Sequence, residues 1–158
     1  MNEKEFMAGV PEYNRKFFRD QLKDFTGVPH AENKLPMNIF LPQFVVKSAN
    51  DLLGANRWII DKYKKYSIRH IELAGIKRVE PVKERRLVVF RRLDGKRCRP
   101  LDDDNLRDGF KYLRDHLKRL GWIYEDSRAW IDTEYIDRRP LDHETWGVKI
   151  TVKEANNG

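Results

Sequence analysis

The stretch DGKRCRPLDDDNLRDGFKYLRDHLKRLGWIYEDS, residues 94–127, decides the reading of this chain. It opens with a basic loop, passes through three consecutive aspartates, and continues into an amphipathic helix. Leu106, Phe110, Leu113 and Leu117 fall at i, i+4, i+7 and i+11, the spacing of one helical face. Gly109 interrupts the pattern at some energetic cost, and Gly121 is placed to end the helix. On either side lie short segments of strand character. ERRLVVFRRL (84–93) precedes it, rich in Val, Leu and Phe, and SRAWIDTEYIDRR (127–139) follows it, stopped by Pro140.

Further out, WGVKITVK (146–153) alternates cleanly. Trp146, Val148, Ile150 and Val152 lie on one face, and Gly147, Lys149, Thr151 and Lys153 on the other. ANNG after it reads as a frayed tail. Towards the N-terminus, residues 57–74 read as a helix with Ile59, Tyr63, Tyr66, His70 and Leu73 on one stripe. Lys62, Lys64, Lys65 and Arg69 lie largely off that stripe, and Gly75 caps the end. SANDLLGAN (48–56) reads as a polar loop, and MNIFLPQFVV before it as a strand edged by Pro42. Residues 1–37 form an N-terminal helical extension: Tyr13, Phe17, Phe18, Leu22 and Phe25 recur at near-helical spacing after Pro11, and Gly27 and Pro29 stop it. An aromatic face there suits packing against the chain's own domain or against a second subunit.

The expected order is helix, strand, helix, strand, helix, strand, strand. That is an α+β domain with a small mixed β-sheet packed with helices over residues 38–158, and no internal repeat. A chain of 158 residues with 40% hydrophobic and 11% aromatic residues has enough apolar material for one packed core. No run of about 18 apolar residues suggests a membrane span, and MNEKEFMAGVPEY lacks the layout of a secretory signal. The single Cys98 has no intrachain partner, so a reducing cytoplasm is the expected location. Lys and Arg number 32 against 25 Asp and Glu, a net +7. Between Arg57 and Arg99 stand 15 basic and 5 acidic residues, a local excess larger than that of the whole chain. Such clustering suits a polyanion, because each neutralised phosphate releases counterions, although a solvated lysine-rich surface has the same composition.

Asp102, Asp103 and Asp104 repel one another. One or two such side chains, with Asn105, are explained by capping the helix that follows, where carboxylates meet free amides and the positive end of the dipole. A hard divalent cation explains the surplus, since Mg²⁺ prefers carboxylate oxygens and shares its remaining sites with water and phosphate. Residues two apart in a strand-like turn point the same way, so Asp102 and Asp104 can converge. Asp126, beyond the far end of the helix, is the candidate third ligand. Lys111 stands two helical turns after Asp104, where it would stabilise charge on a phosphate or simply pair with Asp104, Asp108 or Asp115.

LDDDNLRDGFKYLRD followed by LGWIYEDS resembles the RusA family of crossover-junction endodeoxyribonucleases, phage members included. In that family an Asp-x-Asp-Asn motif opens a helix, a lysine lies further along it, and a Gly-x-x-x-Asp-Asp segment follows. The resemblance spans residues 97–131, with a fainter trace in SANDLLGANRW and only the strand pattern at 146–153. It makes Asp102, Asp104 and Asp126 the metal ligands and Lys111 the catalytic lysine. Glu125 stands where the family often carries Asp, and the lysine comes one helical turn later than in shorter members. The resemblance implies a RusA-like fold and a homodimer that makes paired nicks at four-way DNA junctions, using Mg²⁺ or Mn²⁺. Lys96, Arg97 and Arg99, with Arg91 and Arg92, would hold the DNA backbone. A bacterial cell is the implied setting, with a phage or prophage origin. A catalytically silent branched-DNA-binding accessory, or a nuclease for flaps or forks, are the alternatives.

Other chemistries find less support. His30, His70, His116 and His143 lack zinc spacing, and no glycine-rich loop of the nucleotide-triphosphate type occurs. Trp58, Trp122, Trp130 and Trp146 are expected in the core before they are expected to stack on bases.

Overall fold

The computed structural model describes residues 31–95 and 99–156. The helix expected within 1–30 lies outside the described residues, as do Lys96, Arg97 and Cys98. Among the described residues four strands and four helices follow one another: β1 (Met37–Pro42), α1 (Ala49–Leu52), α2 (Arg57–Leu73), β2 (Arg86–Leu93), α3 (Asp103–Gly109), α4 (Lys111–Arg119), β3 (Ile131–Arg138) and β4 (Gly147–Glu154). The chain is an α+β fold with one mixed sheet in the order β1-β4-β2-β3. β2 runs parallel to β3 and antiparallel to β4, and β4 runs antiparallel to β1. The α3–α4 pair is therefore the crossover between two parallel neighbours, which short hairpins cannot connect.

One face of the sheet meets the helices. Val88 and Phe90 of β2, Val148, Ile150 and Val152 of β4, and Ile131 of β3 are all buried there. Against them α3 and α4 place Leu106, Phe110, Leu113 and Leu117, each no more than 1% exposed, so the periodicity of that segment is realised in full. Burying a side chain of this size is worth about 2 kcal/mol. Phe110 stacks on Phe90 with ring centroids 4.8 Å apart, and Tyr135 of β3 lies alongside both. This aromatic group seats the crossover on the sheet.

The crossover is not one straight helix. α3 gives way to α4 at Phe110, whose backbone leaves the helical region (φ −95°, ψ 1°). Gly109 allows the close approach that accompanies the break: a Cβ there would stand 2.5 Å from the Lys47 carbonyl oxygen and 2.5 Å from Val46 Cγ1. The Tyr63 hydroxyl donates to the Gly109 carbonyl at 2.6 Å, tying α2 to the same point. At the other end Gly121 adopts φ +88° and its Cα faces the Val79 carbonyl, so no side chain fits.

Three further details differ from the sequence expectations. SANDLLGAN contains α1, because Ser48 and Asp51 form a reciprocal capping box around its first turn. The buried stripe of α2 is Tyr63, Ser67 and Ile71, while Leu73 is 73% exposed. Residues 31–36, grouped with the N-terminal extension, join the domain: Ala31 bridges Val79, and the Asn33 side chain donates to the Glu80 carbonyl at 2.7 Å.

Candidate active site

Asp102 is the N-cap of α3. Its Oδ1 accepts from both the backbone N–H and the side-chain amide of Asn105, each at 2.9 Å. The Asn105 side-chain oxygen in turn accepts the Ala49 N–H at 3.0 Å, which anchors α1 beside the acidic turn. The capping expectation thus accounts for Asp102 and Asn105. Asp103 and Asp104 occupy the first turn, exposed, and Asp104 pairs with Arg107.

Beyond α4, the GWIYEDS segment returns the chain to the sheet. Trp122 and Ile123 are buried, and the buried Arg86 guanidinium donates to the Trp122 carbonyl at 2.7 Å. Glu125 accepts from Lys118 Nζ at 2.5 Å, a contact that holds its carboxyl below the usual range. Asp126 lies 3.5 Å from Arg114 Nε. Arg114 is itself buried and also donates to the Arg107 carbonyl at 2.8 Å and to the Tyr135 hydroxyl at 2.9 Å. A single guanidinium therefore links the Asp126 turn, the α3 backbone three residues from Asp104, and strand β3. Sequence reasoning passed over Arg114, since nothing in a lone helical arginine distinguishes a buried fork from a solvated one.

A second charged group holds the loop that leads into Asp102. Arg92, 9% exposed, reaches Asp94 at 3.3 Å and Asp137 at 3.1 Å, and donates to the Arg99 carbonyl at 3.0 Å. Asp137 also accepts the Leu101 N–H at 2.7 Å. Burial, reinforced by a hydrogen bond to Asp137, pushes the Asp94 carboxyl up to about 7.

The expected site residues therefore fall into distinct settings. Asp102 and Asp104 share the start of α3, and Asp126 reaches that helix by way of Arg114. Lys111 is exposed at the first position of α4, its Nζ 5.9 Å from the Tyr112 ring centroid, and the break at Gly109–Phe110 separates it from Asp104. Arg99 is exposed, whereas Arg91 is partly buried and donates to the Thr151 hydroxyl at 3.2 Å. Arg92 differs from the expected DNA contact: it is turned inward and bound to two carboxylates. The tryptophans also divide. Trp122 is buried as expected, but Trp58 is 68% exposed.

Asp102, Asp104 and Asp126 offer oxygen donors only, a chemistry that suits a hard divalent cation. Among the described residues no three His, Cys, Asp or Glu side chains form a ready metal-holding group. No helix among them is long and apolar enough to cross a membrane. No protein-family model matches the chain, and no curated protein matches it.

Proposed function

We propose that this protein is a metal-dependent endonuclease of RusA type that hydrolyses phosphodiester bonds in branched DNA, four-way junctions foremost, as a homodimer making paired nicks. The observation that supports this reading best is the Arg114 link, which ties the turn bearing Asp126 to the helix that Asp102 and Asp104 open. Asp102, Asp104 and Asp126 would hold Mg²⁺ or Mn²⁺, which supplies an activated water and a polarised phosphate when bound. Asn105 orients Asp102 by accepting from Ala49 and donating to the carboxylate. Lys111, exposed at the head of α4, would face the charge that develops on the phosphate. Arg99 and Arg91, with Lys96 and Arg97, would hold the backbone of the DNA.

One observation favours a second reading. Asp104 and Asp126 each already have an arginine partner, Arg107 and Arg114, so both charges are answered without a metal. A branched-DNA-binding accessory that does not cut fits that arrangement.

A labelled four-way junction and a linear duplex, incubated with the protein in Mg²⁺, in Mn²⁺ and in EDTA, separate the two. Paired nicks on the junction that need metal and disappear in Asp104→Asn support the nuclease. Tight junction binding without cutting in either metal supports the accessory. Equal cutting of both substrates keeps the chemistry and removes the junction preference.

A further inference from the structure

α2 turns Tyr63, Ser67 and Ile71 inward, and its opposite side is a different surface altogether. Trp58, Lys62, Lys65 and Arg69 recur at i, i+4, i+7 and i+11 along that side, all four exposed. The stripe runs about 16 Å at the helical rise per residue. Trp58 is 68% exposed, and the Lys62 ammonium sits 5.0 Å from its ring centroid. Arg57, next to the tryptophan, is taken up by Asp61 at 3.9 Å. Among the described residues Lys62, Lys65 and Arg69 make no ion pair, and Lys64 adds a further exposed cation.

An exposed indole beside a row of cations that make no ion pair among the described residues is a surface that two kinds of partner would cover. A second copy of the chain, meeting this patch with the same patch, would set lysines against lysines. A nucleic-acid strand answers both features. Its phosphates take the cations, and an unpaired base offers a flat apolar face for the indole.

We infer that the outer face of α2 binds a DNA strand, with Lys62, Lys65 and Arg69 on its phosphates and Trp58 stacked on an unpaired base. The inference rests on the branched-DNA reading, because flaps and forks carry single-stranded bases and the centre of a junction exposes base faces that a continuous duplex keeps stacked. Its place in the fold agrees with that reading. The inner face of α2 is seated on the α3–α4 junction through Tyr63, which donates to the Gly109 carbonyl and lies edge-on to Tyr112 with centroids 6.0 Å apart. DNA held on the outer face is thus one helix layer from the α3–α4 junction, at the far end of the helix that the acidic turn opens.

The test is fluorescence anisotropy of the full chain with a labelled oligothymidylate, a four-way junction and a linear duplex, in EDTA and over a range of NaCl. Trp58→Ala is expected to weaken oligothymidylate binding about tenfold, with Trp58→Phe recovering most of the loss. The triple variant Lys62→Ala/Lys65→Ala/Arg69→Ala is expected to flatten the dependence of log K on log salt by about two. Unchanged affinity and salt slope in both variants overturn the inference. Sedimentation provides the other refutation: a shift of either variant to a smaller species with DNA affinity intact makes the face a contact between copies. Because EDTA suppresses cutting, the two proposals fail separately. Trp58-dependent binding by a protein that never nicks refutes the nuclease alone, and normal nicking with Trp58-independent binding refutes this surface alone.

Discussion

Asp137 of β3 accepts the Leu101 N–H at 2.7 Å, one residue before the aspartate that caps α3. The same carboxylate pairs with Arg92 of β2, the strand hydrogen-bonded to β3, at 3.1 Å. The two parallel strands and the loop between β2 and α3 are thus pinned at one point, and that point is charged and buried.

Removing Arg92 should therefore cost more than removing an exposed arginine. Arg92→Ala leaves Asp94 and Asp137 facing each other without their cation, and breaking a buried pair in this way costs about 3–5 kcal/mol. Urea unfolding would show it as a lowered midpoint at constant slope. A loss below about 1 kcal/mol would mean that water or Arg139 replaces the guanidinium.

Asp94 gives the same group a dependence on pH. Its carboxyl is pushed up to about 7, against about 3.9 for an unperturbed aspartate. The folded state therefore keeps a proton that the unfolded chain has released. The stability this contributes is complete below about pH 4 and is lost as pH rises through about 7. Asp94→Asn should flatten that decline. Melting temperatures of parent and variant, measured from pH 4 to 8, should diverge in the variant's favour as pH rises.

Gly109→Ala sets helix propensity against packing. In an exposed helix interior, alanine gains about 1 kcal/mol over glycine. Here its methyl group would lie 2.5 Å from the Lys47 carbonyl oxygen, so packing decides the sign. A net loss of about 1–3 kcal/mol is expected by thermal or urea unfolding. A gain would show that the 46–47 segment moves aside at little cost.

Arg114→Met keeps the stem and removes the guanidinium that serves Arg107, Tyr135 and Asp126. The expected cost is about 2–3 kcal/mol. Arg114→Lys should recover less than half of it, because one ammonium cannot reproduce the fork. Equal stability of the lysine variant and the parent in urea would contradict the bridging role.

The parts of the fold that follow a simple period could be read from the chain. β4 alternates, and its Val148, Ile150 and Val152 are fully buried. The face from Leu106 to Leu117 is just as faithful. The helix of residues 57–74 was legible in extent but not in orientation: aromatic Tyr66 and apolar Leu73 suggested a stripe, while Ser67 is the residue inside, its hydroxyl satisfied by the Tyr63 carbonyl at 3.0 Å. At the candidate site, Asp102 as a cap was legible because the cap and its amide lie three residues apart. The partners of Arg92 and Arg114 were not, since Asp137 and Tyr135 stand 45 and 21 residues further along the chain. Distant charge pairing leaves no local pattern to read.

The position of β4 has a consequence for how the molecule comes into being. It is the last strand in chain order, yet it lies between β1 and β2, which do not touch each other within the sheet. A nascent chain that has yet to supply residues 147–154 holds β1 and β2 with nothing between them, whatever helices it has already formed. Most of the sheet must then assemble late and at long range, pairing Met37 with Val152 across more than a hundred residues. Deleting β4 would not trim the sheet at a margin but divide it through the middle, exposing two strand edges that recruit other chains.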